Sequence, residues 1–273
     1  TTRLLRKQIE QDASNSFAWF NLIHNYRTQK LFQDGIRAGE AAMKLVTPGT
    51  HLHHAVMIIY ETANCYLHNG DFNRAKKLCH DVLAKLAERN VTPENIDIIF
   101  TLACTYLKEG NYREALGYFN RFLALRTWYL DNLHTASLMV DTLGHDYAAY
   151  NGLGCCYGKF GQWESAIDCL QRAIASNARY LPPYKNLARC YTCMNNLKEA
   201  TNALLQAVTK GIADDEIILH VGELYIRQTA YEQAIPYLKT YLKNNPENEA
   251  VASNIALCYE KAGHWAALNH DPL

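Results

Sequence analysis

Apolar residues recur along almost the whole chain at the three- and four-residue spacing of an amphipathic helix. Regular in-out alternation between turn dipeptides, the mark of a half-buried strand, is weak throughout. Proline and glycine number only 7 and 14, too few for a loop-rich fold. The pattern predicts an all-α protein built from many helices of ordinary length. No run of 18 apolar residues occurs, so no helix is expected to cross a membrane.

The pattern also repeats. GCCYGKFGQWESAI (154–167) lines up with ANCYLHNGDFNRAK (63–76), ACTYLKEGNYREAL (103–116), ARCYTCMNNLKEAT (188–201) and GELYIRQTAYEQAI (222–235). IHNYRTQKLFQDGI (23–36) fits more loosely, and a last copy begins as ALCYEKAGHW (256–265). The tyrosines fall at 26, 66, 106, 157, 191, 225 and 259, with separations of 40, 40, 51, 34, 34 and 34. A 34-residue period with helix–turn–helix grammar is the signature of a repeat array, in which each unit buries its face against its neighbours.

Small residues at Ala63, Ala103, Gly154, Ala188 and Gly222 let two helices approach closely, and Ala75, Ala115, Ala166, Ala200 and Ala234 leave matching space on the second helix. Gly70, Gly110, Gly161 and Gly263 suit the left-handed residue that ends a helix. This reading settles the most suggestive motif, Gly152-x-Gly154-x-x-x-Gly158. Its glycines lie within a helix at close-packing positions, not in the strand-to-helix loop that a phosphate cradle needs.

Residue by residue, the copies resemble the tetratricopeptide repeat family over roughly nine-tenths of the chain. In the fourth copy Tyr150 stands where that family prefers Trp, followed by Leu153, Gly154, Tyr157, Gly161, Trp163, Ala166, Leu170 and Ala173. The first copy has Trp19, Leu22 and Tyr26, with Gly35 in place of the usual Ala, and Pro246 takes the inter-repeat proline position. The resemblance implies a right-handed superhelical solenoid of antiparallel helix pairs, with first helices lining a concave groove.

On that basis the chain is expected to be a single solenoid. It comprises a half repeat at 1–15 and lengthened repeats at 16–55, 56–95 and 96–130. An insertion follows at 131–146, then regular repeats at 147–180, 181–214 and 215–248, and a partial or capping repeat at 249–273. Longer second helices, such as RAKKLCHDVLAKLAERN (74–90), would absorb the six extra residues of the early repeats. TWYLDNLHTASLMVDTLGHD (127–146) carries enough apolar residues to predict an extra helical piece. Half a repeat at each edge suggests a segment of a longer polypeptide, or a native half-repeat cap.

Charge and chemistry narrow the function. Lys+Arg and Asp+Glu both number 27, which argues against nucleic acid as a partner. Nine cysteines at irregular spacing, with no signal peptide in the opening residues, fit reduced thiols in the cytoplasm. Cys65, Cys156, Cys190 and Cys258 each precede a repeat tyrosine and read as small inward hydrophobes. Cys190-x-x-Cys193 lacks the second ligand pair of a structural zinc site, and His51-x-His53-His54 has no accompanying carboxylate motif. Asp214-Asp215-Glu216 reads as a helix N-cap. No catalytic, cofactor-binding or metal-binding residue is expected, and no cofactor.

The expected function is non-catalytic protein–protein interaction. The family's groove-facing positions are Phe17, Phe20, His24, Tyr60, Asn64, Phe100 and Lys108 in the first copies, together with Met57. In the later copies they are Asn151, Lys159, Lys185, Arg189 and Arg227, with Glu223. The first group makes an aromatic floor and the second a mostly basic one. A protein or peptide partner carrying carboxylates would suit them. The Lys/Asn carboxylate clamp of chaperone-binding members is not reproduced.

Two alternatives stand beside this reading. RLLRKQIEQDASNSFAWFNLIHNY (3–26) is similar to the entry into tetratricopeptide regions that follow bacterial family-2 glycosyltransferase domains, which implies an accessory region of a larger enzyme. A peptide-sensing regulator is the third.

Overall fold

The seven repeat tyrosines each lie in the last turn or so of a helix, and a left-handed residue follows every one. Four residues after each tyrosine the backbone turns left-handed: Lys30 (φ 61°), Gly70 (84°), Gly110 (89°), Gly161 (71°), Asn195 (58°), Thr229 (57°) and Gly263 (75°). The next N–H then returns to the tyrosine's own carbonyl. Leu31 donates to Tyr26 at 2.8 Å, Asp71 to Tyr66 at 3.0 Å and Gln162 to Tyr157 at 3.0 Å, with the same bond after Tyr106, Tyr191 and Tyr225. This six-to-one closure satisfies carbonyls that the helix end would leave bare. Glycine takes the conformation freely in four copies; lysine, asparagine and threonine are held in it by the same hydrogen bond in three.

The computed structural model describes residues 2–45, 52–86, 93–132 and 145–263. Among these the chain is all-α, with fourteen helices and no strand. They are α1 (Thr2–Gln11), α2 (Ser16–Thr28), α3 (Phe32–Leu45), α4 (Leu52–Asn69), α5 (Phe72–Leu86), α6 (Pro93–Glu109) and α7 (Tyr112–Asn132). Then come α8 (Asp146–Lys159), α9 (Trp163–Ser176), α10 (Pro182–Cys193), α11 (Leu197–Thr209), α12 (Asp215–Arg227), α13 (Tyr231–Asn244) and α14 (Glu249–Lys261). The chain divides into two compact units, Thr1–Gly152 and Leu153–Leu273, with the boundary inside α8.

In the first unit α2–α3, α4–α5 and α6–α7 are packed hairpins, and the first helices α2, α4 and α6 lie side by side. Trp19, Leu22, Ile23, Tyr26, Ile58 and Tyr66 form one core cluster, while Val56, Ala63, Val82, Ile98 and Leu102 form the next. In the second unit the core runs through Leu170, Tyr184, Leu187, Leu204 and Leu224, then through Leu238, Leu242, Val251 and Ile255. Small residues set how near the helices come. A Cβ at Gly154 would lie 2.6 Å from Leu170 Cγ and 3.2 Å from the Ala166 carbonyl oxygen, so α8 and α9 meet there only because glycine has none.

Residues 87–90 of the long second helix expected at 74–90 lie outside the described residues, as do residues 46–50 after α3. Among the described residues, second helix α7 runs to 21 residues, against 13 and 14 in α11 and α13. First helices α4 and α6 run to 18 and 17 residues, against 12 in α10. The apolar periodicity of LHHAVMIIYETANCY supports helix well before the repeat motif begins, so the first helix lengthens at its N-terminal end. Residues 127–132 continue α7, and residues 133–144 of the expected insertion lie outside the described residues, as do His51 and residues 264–273.

Candidate functional site

Side by side, α2, α4 and α6 carry the seven early candidates. Phe17 is 61% exposed on the first turn of α2, its ring 6.2 Å from His54, whose Nδ1 lies 2.9 Å from Ser16 Oγ. Phe20, one turn on, is half-buried against the Trp19–Ile23 cluster and stands 6.0 Å from the His24 ring. Tyr60 occupies the equivalent place on α4; burial, then the charges of Asp97 and Glu61, push its phenol well above the ordinary value. Lys108 is exposed near the end of α6.

Two candidates are spent on packing. Asn64 is buried and donates to the Tyr60 carbonyl at 3.0 Å and to Thr101 Oγ1 on α6 at 3.2 Å. Phe100 is half-buried against Phe122 (5.1 Å) and Phe119 (6.0 Å), and stacks nearly parallel on His145 at 4.7 Å. Burial holds the His145 imidazole below its usual pKa, so the neutral ring is favoured in that stack.

The sequence reading missed the charged groups beneath this face. Glu61 on α4 is only 2% exposed, and both its oxygens are engaged across the gap to α2. Arg27 donates through Nε at 2.5 Å and Nη2 at 3.3 Å, and His24 Nδ1 lies 2.9 Å from Oε1. Asp97 on α6 is 6% exposed. A signal existed for both. Asp97 stands nine residues before its tyrosine, the register of Phe17 and Met57, and Glu61 stands five before, where other copies have Asn21, Thr101, Asn186 and His220.

The later candidates are arranged differently. Asn151, in the last residues of the first unit, is buried. Within the second unit, Lys185 Nζ donates to Asp214 Oδ2 at 2.8 Å and also to Glu216, so its charge already has two carboxylate partners. Asp214 meanwhile caps α12 through the Ile217 N–H at 3.0 Å, as the sequence suggested. Burial opposes its ionisation, but the Lys185 and Ile217 hydrogen bonds hold the carboxyl below its usual pKa. Lys159, Arg189, Glu223 and Arg227 are exposed, and among the described residues no carboxylate lies within ion-pair distance of Arg189 or Arg227.

The thiols pack. Cys65, Cys156, Cys190 and Cys258 are buried, and burial pushes Cys65 and Cys156 up to about 12 and Cys190 up to about 11. Cys193 is exposed. Among the described residues no three His, Cys, Asp or Glu side chains are grouped to hold a metal ion, and no helix is long and apolar enough to cross a membrane.

Residues 99–133 and 147–180 each match models of the tetratricopeptide repeat. A curated relative, the BBSome complex member BBS4 of Bos taurus, is 27% identical over 167 residues; the match covers 55% of this chain and 32% of that protein. The matched part thus spans about a third of the relative's length. The solved structure of PilW, a type IV pilus biogenesis factor, superposes with a TM-score of 0.67 at 18% identity, over 87% of this chain and 97% of that one. YrrB, a tetratricopeptide repeat protein with an unusual peptide-binding site, superposes with a TM-score of 0.51 at 17% identity, over 82% and 100%. At these identities the structural likenesses speak for the fold.

Proposed function

We propose, for a chain that belongs to the tetratricopeptide repeat proteins, that it is a non-catalytic scaffold which holds a protein or peptide segment against its first helices. The observation that carries this reading is Phe17. A phenylalanine left 61% exposed, with Phe20 and Tyr60 half-buried at neighbouring register positions, is costly to keep in water and gains by being covered. Around it, Glu61 holds His24 and Arg27 in fixed positions, which lowers the entropy lost when a partner is bound.

The first unit's face suits an apolar or aromatic anchor. In the second unit, taken by itself, Lys185 is already neutralised by Asp214 and Glu216, whereas Arg189 and Arg227 are exposed cations suited to carboxylates. The similarity to a protein named as a member of a multi-subunit complex favours a subunit partner over a small ligand.

The test is a peptide-display selection against the intact chain, followed by calorimetry on the recovered peptides. Phe17→Ala with Tyr60→Ala should weaken binding about tenfold or more, with helicity unchanged by circular dichroism. Undiminished affinity in that double variant rules out the face.

A further inference from the structure

The His24 side chain is 46% exposed, yet one of its ring nitrogens is fixed from below: Nδ1 lies 2.9 Å from Oε1 of the buried Glu61. A carboxylate that also takes two bonds from Arg27 can only accept, so Nδ1 carries the proton at this contact. Arg27 Nη2 stands 3.4 Å from the same nitrogen, and with a proton already there it has no lone pair to donate into. Arg27 balances the charge of Glu61, and the ring completes the trio as a neutral donor. The two ring nitrogens point apart, so Nε2 faces away from the buried acid and offers a lone pair. Among the described residues no donor reaches it.

That acceptor sits in an apolar setting. Phe17, Phe20 and His24 follow one another on α2 at spacings of three and four, down one side of the helix. The Phe20 ring is 6.0 Å from the His24 ring, and Phe17 is 61% exposed. Met57 and Tyr60 of α4, half-buried, hold the register positions of Phe17 and Phe20. The acids of this face are covered, with Glu61 and Asp97 at 2% and 6% exposure, and α2 itself carries none.

We propose that His24 is the specificity-determining residue of this face, and that the anchor it selects is a tryptophan of the partner segment; this rests on the reading of the face as the binding surface. An indole covers Phe17 and Phe20 with a flat apolar ring and brings a single N–H to Nε2. Phenylalanine covers the same rings but strips water from Nε2 and leaves it bare, which costs binding. Lysine would donate too, yet its charge would arrive beside Arg27 with both oxygens of Glu61 already taken. A carboxylate would set its own lone pairs against that of Nε2. The face therefore discriminates by one hydrogen bond carried on an aromatic body, and not by area alone.

The probes are N-acetyltryptophanamide and its indole-N-methyl analogue, which keeps the ring and lacks the donor, each titrated at millimolar concentration into the full chain. Nitrogen NMR of the histidine rings should show His24 with its proton on Nδ1 at neutral pH, and Nε2 should shift as the first probe binds. That probe should bind about tenfold tighter than the methylated one. His24→Phe should bring the two affinities together, and His24→Gln, whose amide oxygen can accept, should restore part of the difference. Phe17→Ala with Tyr60→Ala should weaken both probes alike. A proton on Nε2, equal affinities in the unaltered chain, or a difference that survives His24→Phe overturns the role of His24 and leaves the scaffold reading, which the peptide selection tests by itself. Failure of both probes to bind, or binding undiminished in the Phe17 and Tyr60 double variant, overturns the choice of tryptophan at this face.

Discussion

The two compact units hide different interiors. Of the polar and charged side chains buried among the described residues, Ser16, Glu61, Thr62, Asn64, Asp97, Thr101, Thr105 and Asn151 belong to the first unit and only Thr201 to the second. First helices of the first unit therefore meet through directed bonds: Arg27 to Glu61 between α2 and α4, and Asn64 to Thr101 between α4 and α6. The interior of the second unit is instead filled by shape, with Ala166, Ala188, Ala200 and Ala207 packed around Leu170, Leu187 and Leu204, and its bond from Lys185 to Asp214 lies at the surface. A directed interface specifies geometry and fails when one partner is removed; a shaped interface fails by the volume lost.

That contrast can be broken from the polar side first. Glu61→Ala leaves Arg27 and His24 without their buried carboxylate, and should destabilise the first unit by about 3–4 kcal/mol. Hydrogen exchange should show protection falling in α2 and α4 while α10–α12 keep theirs. Loss spread evenly through both units would refute the contrast.

The apolar counterpart is Leu204, fully buried in α11. Leu204→Ala should cost about 3 kcal/mol by the cavity it leaves, measured by urea denaturation, and its effect should not depend on salt. The Glu61 variant, by contrast, should lose part of its penalty in high salt, since Arg27 remains partly exposed.

The smallest effect tests the corners both units share. Thr229 is β-branched and left-handed at φ 57°, where Gly161 stands in an equivalent corner. Thr229→Gly should stabilise the second unit by about 1 kcal/mol, read as a rise in thermal midpoint, because relief of the backbone strain exceeds the entropy that glycine adds to the unfolded chain. A fall in midpoint would show that Thr229 is held there by more than the turn.

Much of the architecture was legible in the text of the chain. The tyrosine register located every first helix and its corner, and the four corner glycines announced their conformation. Lys30, Asn195 and Thr229 take the same conformation without glycine's signature, because the closing hydrogen bond imposes it. Four of the nine thiols were read correctly as packing groups from their place before a tyrosine. The face was legible as a set of positions and less so as chemistry. Phe17 and Phe100 share a helical register to within one turn, yet one is open to water and the other is enclosed by Phe119, Phe122 and His145.

What the sequence determined by itself was periodic: helix, corner and the small residues that let hairpins close, all consequences of local geometry repeated down the chain. What only the tertiary structure decided was pairing between residues about 30 to 40 positions apart, which no local pattern encodes. Lys185 read as a groove cation until Asp214 and Glu216 came beside it, and Glu61 drew no notice until α2 brought Arg27 across it. A charge is worth little or much according to what covers it, and covering is a property of the fold.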